Sequence, residues 1–287
     1  MTLREPAPGA GPLTGLRVAV TRSLDRAGGL LFALTAAGAE TVLVPVIDFE
    51  VGDHDVLGAA LHRLAEAEYA WLVISSITTV RALKQWCEAA GTSLIDLIPA
   101  GTKVATIGPT SVAVLAAEGI HANVAPVDVQ SAAGLVGLWP GFDGGNNKVL
   151  LPQSNLAEAT LTDGIRAKGW DVESITAYKT VDYPADPAFR LTAAKESRFQ
   201  MLTPDEAAGE MRAGAIDAVV LASGSAAARV AATMAPLPSG CLVVAIGQPT
   251  RDAAERLGMS VAATAEHPTP EGIVAALARA RTLLDNQ

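Results

Sequence analysis

The sequence predicts an α/β protein of two domains built on parallel sheets and joined by two linker strands. Three observations carry this. First, short apolar runs such as AVVLA (218–222) alternate with amphipathic stretches such as TTVRALKQWCEAAG (78–91). Near-continuous apolar runs mark strands buried on both faces of a parallel sheet, and alternation with helices implies flanking layers. Second, the chain echoes itself: RVAVTRS (17–23) with KVLLPQS (148–154), WLVISSITTVRAL (71–83) with AVVLASGSAAARV (218–230), and KVATIGPTSVAVLAAEGI (103–120) with LVVAIGQPTRDAAERLGM (242–259). The offsets differ, so these are diverged copies with insertions, not a solenoid. Third, TVLVPVIDFEV (41–51) and DVESITAYKTV (171–181) are about twice the usual strand length of ~5–6 residues.

The predicted strands, in order, are 16–22, 41–51, 70–75, 103–107, 122–127, 148–151, 171–181, 216–222, 242–246 and 260–264. Helices fill the intervals, and Gly91 ends one of them as a C-cap. Thr203-Pro204-Asp205-Glu206 reads as a capping box with Pro in the first turn, and Gly214 ends that helix. Residues 186–201 show no clean period and stay unassigned. A strand twice the needed length can begin in one domain and end in another. This gives a flexible tail over 1–14, one discontinuous domain over 15–46 and 183–287, and a second over 51–178. Residues 47–50 and 179–182 are then the linker strands.

Composition fits this plan. A chain of 287 residues, 50% apolar and 18% charged, buries real cores and is not disordered. Lys+Arg 21 against Asp+Glu 30 leaves a net charge of −9, which argues against a nucleic-acid partner. Aromatics at 4% leave few platforms for stacked bases. Two cysteines, Cys87 and Cys241, and four scattered histidines make neither a disulfide framework nor a metal site. No signal peptide and no apolar run of membrane-spanning length is seen. The expectation is a reduced, cytoplasmic, metal-free protein.

The predicted strands end in Gly/Ser/Thr turns that lead into helices: Thr21-Arg22-Ser23, Ser75-Ser76, Gly108-Pro109-Thr110-Ser111, Gln153-Ser154-Asn155, Ser223-Gly224-Ser225 and Gly247-Gln248-Pro249-Thr250. In open α/β sheets ligands bind beyond the carboxyl ends of the strands, where helix N-termini offer free N–H groups and partial positive charge. As a set facing one cleft, the turns point to an anionic ligand. No nucleotide motif accompanies them. GAGPLTG (9–15) precedes a strand instead of following one, and neither GxxxxGK[ST] nor GxSxG is present.

In this order and spacing, LRVAVTRS, VPVIDFE, WLVISSITTVRAL, VATIGPTSVAVLAAEG, LLPQSNLAEATLTDGIRAKGWDVESITAYKTV, DAVVLASGSAA, VVAIGQPTRDAAERLG and HPTPEGIVAAL resemble the uroporphyrinogen-III synthase family over about 270 residues. The resemblance implies two flavodoxin-like domains joined by a two-strand ladder. It also implies cyclisation of linear hydroxymethylbilane to uroporphyrinogen III, with inversion of ring D and loss of water. No cofactor is implied. The substrate carries eight carboxylates, which suits the ring of helix N-termini. Arg22 and Lys179 are the nearest candidate cations, with Arg229 and Arg251 in early helix turns.

By the same resemblance the family's cleft tyrosine falls on Tyr178 of AYKT, as donor to the departing hydroxyl. Thr21, Arg22, Ser23, Ser76, Ser111, Gln153, Ser154, Asn155, Ser223, Ser225 and Thr250 are the implied substrate-binding positions. The chain departs from the family pattern in three places. Ile74-Ser75-Ser76 and Leu221-Ala222-Ser223 replace the usual Phe-Thr-Ser. Ile77 replaces a common Pro. Ser111 stands where a threonine is usual. The family also implies a monomer, with possible handover from hydroxymethylbilane synthase. The alternative reading is a non-catalytic regulatory module that binds tetrapyrroles or polycarboxylates on the same fold.

Overall fold

Two sheets form, and their equivalent strands lie in the same spatial order although the chain lays them down in a different sequence. The structure, a computed structural model, describes residues 11–191 and 199–285. The chain begins with β1 (Arg17–Thr21), α1 (Leu24–Ala36), β2 (Glu40–Leu43), β3 (Ile47–Val51) and α2 (His54–Ala65). It continues through β4 (Trp71–Ile74), α3 (Ile77–Ala89), β5 (Lys103–Thr106), α4 (Pro109–Ala117) and α5 (Ala132–Leu138). Then come β6 (Lys148–Ser154), α6 (Thr160–Arg166), β7 (Asp171–Asp182), β8 (Gln200–Met201) and α7 (Pro204–Arg212). The last elements are β9 (Ala218–Leu221), α8 (Gly224–Thr233), β10 (Leu242–Ala245), α9 (Gln248–Arg256), β11 (Ala263–Thr264) and α10 (Pro270–Asp285).

One sheet is ordered β11-β10-β9-β1-β2-β8 and the other β3-β7-β6-β4-β5. The echoed segments occupy equivalent places: β10-β9-β1-β2 in the first sheet matches β5-β4-β6-β7 in the second. The pairings among these strands are all parallel. From β2 to β11 the first sheet follows the 2-1-3-4-5 order of flavodoxin-like folds. The expected strand over 122–127 is reduced to one bridge, Ala105 with Val124. It is the counterpart of the two-residue β11 beside β10, which is all that forms of the run over 260–264.

The chain divides into two compact units. One holds residues 1–48, 181–184 and 193–287; the other holds 49–180 and 185–192. The chain thus passes between units inside β3 and again inside β7. The expected long strand over 41–51 is in fact two strands in two sheets, β2 and β3. Pro45 separates them, because it has no N–H to give a ladder. The other long run does form one strand, the 12-residue β7. At the ends of β3, Tyr183 N donates to Val46 O (3.4 Å) and Gly52 N to Ala177 O (2.9 Å). The partners run in opposite senses, so β3 lies antiparallel to β7.

Each sheet is buried on both faces, as the apolar strand runs require. In the first unit, Val18, Val20, Val220 and Val244 pack against α1 and α10 through Leu30, Leu34, Ile273 and Leu277. On the opposite face, Ala19, Val42, Val219 and Leu221 meet α7 and α8 through Met211 and Val230. In the second unit, Leu72, Ile74 and Leu150 meet α2 and α3 through Leu61, Leu83 and Trp86. There Trp71, Val73, Val149 and Leu151 meet Leu135, Leu161 and Ile165 on the other face. Residues 1–10 of the expected tail lie outside the described residues. Leu13 does not behave as a tail residue: it is fully buried, and its N–H donates to Ala37 O at 3.0 Å. Within 186–201, only 186–191 and 199–201 are described, and β8 adds an edge to the first sheet.

At the base of the second sheet, Tyr69 is 2% exposed. Its hydroxyl donates to Glu173 Oε2 (2.6 Å) and accepts from Arg63 Nε (3.0 Å), while Arg63 also pairs with Glu173. Burial, then the hydrogen bond to Glu173, pushes the phenol up to about 12 from its ordinary 10.0. The unfolded chain therefore loses this proton first as pH rises. Stability contributed by Tyr69 is complete below pH 10 and is lost between pH 10 and about 12, at up to ~1.4 kcal/mol per pH unit. Urea unfolding of the wild type and Tyr69→Phe at pH 9 and pH 11 checks this. The gap between them should shrink at the higher pH.

Candidate functional site

The carboxyl ends of the second unit's strands bring Tyr178 to the N-terminus of α3, and an irregularity in the sheet aims it there. β6 and β7 pair regularly from Lys148 with Asp171 to Gln153 with Thr176. Ser154 then pairs with Tyr178, so Ala177 is an extra residue. Side chains alternate across a strand, and one inserted residue reverses every side chain after it. Val172 lies on the face of Leu151 and Leu161, the face Tyr178 would share in a regular ladder. Instead, Tyr178 packs beside Ile175 and Ala177 with Leu83 and Trp86.

Once turned, Tyr178 is held on several sides. Its ring, 9% exposed, meets Phe49 edge-on at 5.7 Å between centroids. Its hydroxyl lies 3.4 Å from Ser76 Oγ. Ser76 caps α3, accepting from Thr79 N at 3.1 Å, and also lies 3.1 Å from Thr79 Oγ1. A hydroxyl thus sits where the helix dipole is positive, among donors suited to a developing negative charge.

Gln153 and Ser154 close β6, and they do not lead into a helix as the turn pattern implied. The next helix, α6, starts only at Thr160. Gln153 Nε2 donates to Ser174 Oγ (2.8 Å). Ser154 Oγ accepts from Leu156 N (3.1 Å) and lies 3.4 Å from Thr180 Oγ1. Asn155 N donates to Tyr178 O (3.0 Å), and Asn155 Oδ1 accepts from Thr180 N (2.9 Å). Ser111 is 6% exposed, inside the first turn of α4, while its neighbour Thr110 is exposed. The N-cap of α4 is Gly108, with no side-chain cap.

In the first unit, Thr21-Arg22-Ser23, Ser223-Ser225 and Thr250 stand at the ends of the adjacent strands β1, β9 and β10. They are not equally available. Thr21 Oγ1 donates to the buried Val220 O at 2.8 Å, and Thr250 is buried. Ser223 caps α8 through Ala226 N (3.1 Å), and its Oγ lies 3.0 Å from that of the exposed Ser225. Ser23 precedes α1 without a side-chain cap, as does Gly247 before α9. The two units therefore repeat one pattern. The helix after β4 or β9 is capped by serine, and the helix after β5 or β10 opens on glycine and proline with uncapped N–H groups.

Of the candidate cations, Arg229 pairs with Asp182 (2.5 Å) and Arg251 with Glu255 (2.8 Å). Lys179 is exposed. Arg22 is half-buried, and burial, then the charge of Arg26, lowers its guanidinium below the ordinary value. A cation in that position gains from an incoming anion. Burial raises the Cys87 thiol to about 11 and the Cys241 thiol to about 12, with Glu88 and Asp217 adding to the effect. Neither is a nucleophile at neutral pH. Among the described residues, no group of three or more His, Cys, Asp or Glu could hold a metal ion, and no helix is long and apolar enough to cross a membrane.

Two residues around Tyr178 escaped the sequence reading. Phe49 supplies the ring contact. Gly52 supplies the close approach of β3: a Cβ there would lie 2.0 Å from Thr176 O. A glycine at a strand end, just before the Asp53 helix cap, is the available signal of such an approach.

A family model described as "Uroporphyrinogen-III synthase HemD" matches residues 30–275. The "Porphyrin biosynthesis protein HemD" of Ruminiclostridium josui is 24% identical over 170 residues, which is 59% of this chain and 33% of that protein. The match thus spans about a third of that relative's length. Among solved structures, a mutant uroporphyrinogen III synthase from the extremely thermophilic bacterium Thermus thermophilus superposes with a TM-score of 0.58 at 17% identity, covering 94% of this chain and 100% of that one. The uroporphyrinogen-III synthetase of Helicobacter pylori gives 0.55 at 12%, with coverage of 93% and 99%. At these identities the structural likeness is one of fold.

Gly52→Ala is expected to force β3 away from the extra residue in β7, costing ~1–3 kcal/mol as overpacking does. Urea unfolding measures it. Gly108→Ala is the control, because nothing lies within 4 Å of its Cβ position.

Proposed function

The chain belongs to the uroporphyrinogen-III synthase family, and we propose that it cyclises hydroxymethylbilane to uroporphyrinogen III, inverting ring D and releasing water without a cofactor. The observation that carries this reading is the Tyr178 hydroxyl beside the serine cap of α3. A hydroxymethylpyrrole loses hydroxide readily, because the ring nitrogen delocalises the resulting cation. The enzyme therefore needs only a modest donor at the departing oxygen. Tyr178 is that donor, and the C–O bond breaks as the hydroxyl takes up a proton to leave as water. Such a group contributes roughly 10²–10⁴-fold.

Regiochemistry is the harder demand, since closure must occur at the substituted position of ring D and not at its free one. Holding the substrate carboxylates fixes which carbon lies nearest the cation, and orientation of this kind is worth ~7–11 kcal/mol in favourable cases. The uncapped N–H groups of α1, α4 and α9, the exposed Ser225 and half-buried Arg22 are the groups we assign to those carboxylates. The net charge of −9 does not oppose this, because distant charges are screened beyond ~8 Å at physiological salt. A cytoplasmic monomer that receives its substrate from hydroxymethylbilane synthase belongs to the same reading.

Purified protein supplied with enzymically generated hydroxymethylbilane should yield the type III isomer. Recovery of the type I isomer alone, the spontaneous product, would overturn the assignment. Tyr178→Phe should lower kcat by about 10²-fold or more with an unchanged circular dichroism spectrum. An unaltered kcat would remove Tyr178 from the reaction.

A further inference from the structure

Asn155 stands in a turn of polar residues at a strand end, where its amide reads as a carboxylate ligand. Its hydrogen bonds give it a different task. In a parallel ladder, a residue on one strand donates its N–H to one residue of the neighbour and accepts, through its carbonyl, from the residue two further on. Asn155 makes the first bond normally, N–H to Tyr178 O at 3.0 Å. The second comes from Thr180 N, but its acceptor is the side-chain Oδ1, at 2.9 Å. β6 has ended at Ser154, so the amide side chain stands in for the missing carbonyl and extends the ladder by one rung.

That rung falls just beyond the extra residue Ala177. On the other side of the strand, Gly52 N donates to Ala177 O at 2.9 Å. The two bonds Asn155 makes bracket Tyr178 and Lys179. They fix the strand where its alternation has just been reversed, which is where a slip would return Tyr178 to the opposite face. We propose that Asn155 is a positioning residue for Tyr178, acting through Oδ1 as a surrogate strand carbonyl, and that it does not bind substrate. This rests on the reading of Tyr178 given above.

The two roles make opposite demands on the side chain. Positioning needs only an acceptor, which Asn155→Asp retains as a charge-assisted bond to Thr180 N–H and Asn155→Ala deletes. Carboxylate binding needs the Nδ2 donor, and an aspartate there would repel a polyanion. Steady-state kinetics with enzymically generated hydroxymethylbilane separate them. Asn155→Ala should lower kcat about 10- to 100-fold, as a misplaced group does, and leave KM within about twofold. Asn155→Asp should restore most of the lost kcat. In a Tyr178→Phe background, Asn155→Ala should cost nothing further.

Amide exchange at Thr180 supplies a readout that does not depend on activity. It should be slow in the wild type and in Asn155→Asp, and fast in Asn155→Ala. An aspartate variant worse than alanine, with raised KM, would overturn the proposal in favour of ligand binding. Equal protection of Thr180 in all three proteins would overturn it on structural grounds. If the wild type forms no type III isomer, the functional reading falls, and the exchange experiment still decides whether Asn155 holds the strand.

Discussion

The extra residue at Ala177 is the constraint on which the second unit's site depends. A strand shared by two cores has a fixed alternation, and β7 must place Val172 on one face and Ile175 on the other. Continued regularly, that alternation would put Tyr178 on the face of Leu161 and Ile165, opposite Ser76 and α3. The shift between Gln153 and Ser154 reverses it at the carboxyl edge, where α/β sheets bind ligands. Around that reversal the chain adds Gly52, which allows β3 to approach, Phe49, which meets the ring, and Ser76, which meets the hydroxyl.

The duplication supplies the groups that the proposed polyanionic substrate would need from an acidic chain. Each unit repeats strand, turn and helix at the same sheet positions. Each repeat ends in backbone N–H groups and hydroxyls that carry dipole without formal charge. Arginines on the early turns of α8 and α9 are already neutralised by Asp182 and Glu255. Half-buried Arg22, whose environment disfavours its own charge, is a cation that an anion would relieve.

Much of this was legible in the residues, because it rests on patterns the chain repeats. Runs such as AVVL and WLVI can only be central strands, and their echoes fixed which strands are equivalent. Pro45, which cannot donate to a ladder, is the one residue of 41–51 that marks the break between β2 and β3. The reversal at Ala177 was not legible. Ala177 and Tyr178 are both apolar enough for either face, and an extra residue is defined only by the partner strand. Asn155 is ambiguous for a related reason, since Asn serves as cap, ligand or ladder surrogate. Thr21 and Thr250 are both buried, and the Thr21 hydroxyl is turned inward to Val220 O.

Tyr178 faces α3 because Ala177 is inserted, and proton–proton contacts of the Tyr178 ring test this most directly. A nuclear Overhauser spectrum of the isotope-labelled protein should show cross-peaks from that ring to Phe49 and Leu83. Cross-peaks to Leu161 and Val172 in their place would mean that β7 runs in regular register with β6, and would contradict the account.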